Sequence, residues 1–169
     1  MTTREPDPRW SMIVGGLTPE GQVLPMSSAV LENLASEWAA TVRNVEAFGG
    51  TELLAKARSL FVLSWFDCDV MVDACLAGFQ AVEATFRQVA FPDASERLPF
   101  KRLVDRAEQD DLLSADKADV VRAGVELRNR LSHPGGTTTF SLGMAGPMLQ
   151  VAHLVVRDVC AARGMLESA

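Results

Sequence analysis

The stretch DCDVMVDACLAGFQAVEATFRQVA, residues 67–90, decides the fold. Met71, Cys75, Gly78, Val82, Phe86 and Val89 recur in it at three- and four-residue intervals, which is the period of one helix face turned to a core. Phe91-Pro92 closes the pattern, and Glu83 and Arg87 form an i,i+4 pair on its flank. The same period runs through every other long segment. Ser27 or Ser28 is placed to cap a helix with Leu31, Leu34, Trp38, Val42, Val45 and Phe48 inward, ended by Gly49-Gly50. Thr51 is placed to cap the next, with Leu54, Ala57, Leu60 and Phe61 inward, and residues 64–67 read as a kink or a new cap.

Downstream, residues 99–109 read as a short helix. Ser114 caps another that runs to about residue 132 with Val120, Ala123, Leu127 and Leu131 on one side. Residues 133–146 read as a long loop, and Pro147 suits the first position of a final helix, 147–163, with Met148, Val151, Val155 and Val159 inward. A strand-like alternation is confined to residues 137–142. Residues 1–26 hold four of the eight prolines and three glycines, so an irregular arm is expected there. Its Trp10, Met12, Ile13 and Val14 can lie against the body or against a neighbouring subunit. The expectation is an all-α protein: a bundle of five or six helices in a single domain, residues 27–169, behind that arm.

Composition narrows the functional classes. With 48% hydrophobic and 22% charged residues in 169 positions, the chain is an ordinary globular domain by size and content. It has no apolar run long enough to span a bilayer and no secretory h-region, which points to a cytoplasmic protein without membrane attachment. Three cysteines, Cys68, Cys75 and Cys160, fall on apolar faces and read as reduced thiols, and the spacing of acidic, His and Cys residues suggests neither a metal site nor a cofactor. Net charge is −6, which argues against a broad electrostatic grip on nucleic acid. Locally the sign reverses: Arg122, Arg128 and Arg130 fall within nine residues.

Those arginines lead into Leu127-Arg-Asn-Arg-Leu-Ser-His-Pro134, which sets Arg128, Asn129 and His133 just before a helix-stopping proline. At about 100° per residue, Asn129 and His133 lie about 40° apart on a helix, whereas Arg128 lies about 140° from His133. Pro134 disfavours the α region at His133, which frees the imidazole to swing toward Arg128. Arg and His together supply a fixed cation for a phosphate and a proton carrier near neutral pH. A purely structural reading stands beside this one, in which cations and a histidine cap complement the negative end of the helix dipole. Asn129 is either a site group or an orienting partner of His133. His153, between Val151 and Val155, reads as a satisfied or interface residue, Asp69 and Asp73 as a solvated pair, and Gly135-Gly136 as a turn.

The Arg-Asn-x-x-x-His pattern near the end of an all-helical domain resembles the HEPN superfamily (higher-eukaryote and prokaryote nucleotide-binding domains), whose hallmark is Arg, four to six residues, then His. Residues 74–87 (ACLAGFQAVEATFR) look like that family's first helix, and the resemblance spans roughly residues 51–163. It implies a metal-independent, toxin- or defence-like endoribonuclease in which two copies pair and both motifs line one cleft. By the same resemblance Arg128 and His133 are catalytic, Asn129 is a supporting polar group, and Arg130 and Arg122 are candidate phosphate or RNA contacts. Expected partners are a second copy of the chain, RNA, and possible protein partners such as an antitoxin. The rival reading is a non-catalytic helical dimerisation or interaction module of the same family.

Overall fold

The computed structural model describes residues 4–131 and 141–166, apart from the Leu131 side chain. His133 and most of the expected 133–146 loop lie outside the described residues. Of the described residues, 67% are helical, and they form six α-helices and a two-stranded sheet. In order these are β1 (Val14–Leu17), β2 (Val23–Pro25), α1 (Ser28–Thr41), α2 (Gly49–Leu63), α3 (Val70–Thr85), α4 (Phe100–Gln109), α5 (Ala115–Leu131) and α6 (Leu142–Ala162). A 3-10 turn (Pro8–Met12) precedes the strands, and a π-helical turn (Phe86–Ala90) extends α3.

Helix α3 is the hub, packed against α2, α5 and α6. Nine of its residues are buried, from Met71 through Phe79 to Thr85, because three neighbours surround it and no single stripe suffices. Phe79 needs a gap in α5 and finds it at Gly124, where any Cβ would land inside the aromatic ring. That gap explains why the buried face of α5 is Ala118, Val121, Val125 and Leu127, whereas the expected Val120 is half-buried and Ala123 exposed. A glycine carries no hydrophobic signal, so counting apolar residues turned the helix by one position.

Three expected boundaries move for physical reasons. Gly49-Gly50 opens α2; it does not close α1, which ends at Thr41. A Cβ on Gly50 would strike the Phe48 ring and sit 2.9 Å from Thr85 Oγ1, so the glycine serves close packing of α2 on α3. Thr51 stands three residues inside the cap. Its hydroxyl accepts from the Phe48 amide at 3.0 Å and donates to the Phe48 carbonyl at 2.8 Å. Pro147 lies within α6, which starts at Leu142 after the extended Ser141. Its ring and Gly143, whose carbonyl it leaves without a donor, are both exposed, so water can satisfy that group.

The arm has more order than its prolines suggest. Trp10 is buried, its indole N–H donates to the Ser64 carbonyl at 2.9 Å, and its ring stacks on Trp65. Asp7 accepts from Arg9 and from the Cys68 amide, which holds its carboxyl well below the usual range. Met12 and Val14, by contrast, are exposed.

Replacing Gly124 with alanine should therefore destabilise the fold by about 1–3 kcal/mol in urea unfolding, the cost of overpacking. Helix propensity alone would favour alanine by about 1 kcal/mol, so a stabilised Gly124→Ala protein would contradict the close α3–α5 approach.

Candidate functional site

The last turns of α5 present Arg128 and Asn129 to a cleft of about 530 Å³, facing Pro99, Phe100 and Lys101 at the start of α4. Arg128 is 42% exposed, and its Nη1 donates to Glu83 Oε2 at 2.5 Å. Glu83 comes from α3, 45 residues upstream, and is only 16% exposed. Its other oxygen accepts from Arg87 Nε at 3.1 Å and Nη2 at 2.8 Å. Arg87 Nη2 also donates to the Leu98 carbonyl at 2.8 Å. One largely buried carboxylate thus sits between two guanidiniums, tying α3 to α5 and to the segment that enters α4. Charge-assisted forks of this kind fix side-chain direction as well as adding energy. Arg128 is thereby held at the cleft, its side chain partly exposed.

Arg122 also lines this cleft but is differently engaged. It donates to Asp105 at 3.3 and 3.1 Å, to Asp119 at 3.0 Å, and to Glu108. A guanidinium already shared among three carboxylates anchors α4 to α5, and a phosphate would have to displace one of them. Arg130 and Asn129 are exposed. The structure therefore brings Arg128, Asn129 and Arg122 to one cleft, while His133 lies outside the described residues. Sequence reasoning missed two participants. Glu83 was paired with Arg87 alone, since nothing local announces a partner 45 residues away; its signal was being the one charged residue of α3 after Asp73. Lys101 had no motif to mark it.

The second histidine, His153, is fully buried in α6 and its ring stacks on Trp38, with centroids 5.8 Å apart. Arg58 Nη1 lies 3.0 Å from its Nε2 and can only donate, so Nε2 accepts. Nδ1 therefore carries the proton and donates to the Leu149 carbonyl at 2.7 Å. Burial, helped by the charge on Arg58, pushes this imidazole down to about 4. It is a satisfied core histidine. Cys68, Cys75 and Cys160 are free buried thiols that burial pushes up to about 11, 12 and 11. Among the described residues no three His, Cys, Asp or Glu side chains are grouped to hold a metal ion. No helix there is long and apolar enough to cross a membrane.

No protein-family model, curated protein or solved structure matches the chain.

Two outcomes follow from this geometry. Replacing Glu83 with alanine should cost roughly 1–3 kcal/mol, because Arg87 and Arg128 both lose their shared acceptor. Adding Arg128→Ala to that variant should then cost less than it does in the wild type, so additive costs in a double-mutant cycle would contradict the clasp. The second outcome concerns pH. Below about 6.5 the unfolded chain binds a proton that His153 refuses in the fold, so stability is full above that pH and falls toward pH 4. The loss should reach roughly 3 kcal/mol, shrink in His153→Leu and persist in His133→Ala, as chemical denaturation at a series of pH values will show.

Proposed function

We propose that this chain is a metal-independent endoribonuclease of HEPN type, toxin- or defence-like, acting at a site shared by two copies in a homodimer. The observation that carries the reading is Arg128 at the cleft, oriented by Glu83 and flanked by Asn129 and Lys101. An arginine held in place by a largely buried carboxylate presents a fixed, planar cation to a phosphate oxyanion. On this reading Arg128 holds the scissile phosphate and stabilises the charge that builds on it. His133 takes the proton of the ribose 2′-hydroxyl or delivers one to the leaving 5′-oxygen. The 2′-oxygen bonds to phosphorus as the bond to the 5′-oxygen breaks. The products are a 2′,3′-cyclic phosphate and a 5′-hydroxyl, and the proton lost at one oxygen is matched by the proton gained at the other.

A specific observation also favours the rival, a non-catalytic interaction module. Arg122 and Arg128 both make intrachain ion pairs that bind α5 to its neighbours, as a purely structural motif would. The net charge of −6 points the same way.

Incubation with total RNA separates the two. The ribonuclease reading predicts cleavage by the wild type in the presence of EDTA, loss of cleavage in His133→Ala and Arg128→Ala, and poor rescue by Arg128→Lys, because a point charge cannot reproduce the planar fork. His133→Ala should melt close to the wild type if it is a site residue, and should lose roughly 0.5–2 kcal/mol if it is a helix cap. Light scattering should show a dimer at micromolar concentration. Intact RNA with wild-type protein, or cleavage that survives His133→Ala, would leave the interaction module as the reading.

A further inference from the structure

The groove between α1 and α2 lies apart from the cleft at α5 and has a volume of about 720 Å³. Ala35 and Ala39 from α1 and Val62 and Leu63 from α2 form its apolar walls, with Arg58 among them. Arg58 differs from the arginines that serve as carboxylate clasps in this fold. Arg9, Arg87, Arg122, Arg128 and Arg157 each meet a carboxylate. Arg58 is half-buried, and among the described residues its hydrogen bond goes to a neutral imidazole, His153. Glu32 lines the same groove, yet no carboxylate among the described residues lies within ion-pair distance of Arg58, and desolvation lowers its hold on its own proton.

The placement is built from behind. His153 is fixed by the Leu149 carbonyl and by the Trp38 ring, and its Nε2 accepts from one edge of the guanidinium. A fully buried histidine whose lone pair fixes an arginine leaves a positive charge that no described carboxylate balances. Four of the five guanidinium N–H groups remain for another acceptor. A planar oxyanion matches that fork, and the apolar walls beside it favour a hydrocarbon tail over a bare anion.

We propose that this groove is a binding site for a small carboxylate with an apolar tail, its carboxyl group held by Arg58 and its tail laid along Leu63 and Val62. The site is independent of the ribonuclease reading.

The test titrates the full-length protein with hexanoate, acetate and inorganic phosphate, following heat by calorimetry, Trp38 fluorescence and the His153 ring nitrogens by NMR. Hexanoate should saturate in the millimolar range or tighter and shift both the Trp38 and His153 signals. Acetate and phosphate should bind at least about tenfold more weakly, the effect of partly burying the extra methylenes. Arg58→Gln should abolish hexanoate binding. If that variant does not fold, Arg58→Lys, checked by circular dichroism, should weaken it several-fold, since lysine lacks the fork. Absent saturation, binding unchanged in these variants, or signals at Trp38 and His153 that do not move would overturn the proposal. Phosphate binding as tightly as hexanoate would overturn the apolar-tailed carboxylate in particular.

Discussion

The carboxylate of Glu83 is the constraint on which the rest of the site depends. It lies on the helix that the core surrounds, and it receives Arg87 from the same helix and Arg128 from α5. Burying a carboxylate is costly unless its oxygens are hydrogen-bonded, and here both are. The same bonds set the direction of Arg128, the one motif arginine that combines partial exposure with a rigid mooring. Packing and site chemistry are thus one arrangement. Any shift of α5 relative to α3 would stretch the Glu83–Arg128 bond and loosen the guanidinium's hold at the cleft.

That relative position is in turn set by shape. Phe79 enters the space left by Gly124, and Thr85 approaches Gly50, so α3 sits closer to α5 and α2 than side chains would otherwise allow. Close-packed interiors give little room for adjustment, which keeps the cleft between α4 and α5 well defined. On the α4 side, Arg122 and its three carboxylates complete the frame. The arginines of α5 therefore divide their work, with Arg122 joining α5 to α4 and Arg128 set at the opening.

Much of this was legible in the sequence, and the gaps have physical causes. The 3.6-residue period located all six helices because each must turn apolar residues to a common core. Terminal residues were less legible. Gly50 is required by the approach of Phe48 and Thr85, a tertiary demand that local rules read as a stop. Pro147 is tolerated inside α6 because the carbonyl it orphans is solvated, which depends on exposure and not on sequence. Arg128 and Asn129 were legible as cleft candidates; the carboxylate that holds Arg128, Glu83, was not, because long-range pairing leaves no local trace. His153 was readable as a satisfied core residue, but the bond to Arg58 that satisfies it spans 95 positions. The short sheet of the arm was missed, since its strands are only four and three residues long and the first is half glycine, too little to show alternation.

The central claim is that the cleft at the end of α5 positions RNA for attack by its own 2′-hydroxyl. Mass spectrometry of the fragment ends tests it most directly, on RNA treated with the wild-type protein in EDTA beside a protein-free control. The account predicts 2′,3′-cyclic phosphate ends paired with 5′-hydroxyl ends, because Arg128 and His133 offer no other nucleophile than the ribose. Fragments ending in 3′-hydroxyl and 5′-phosphate, or none beyond the control, would contradict it.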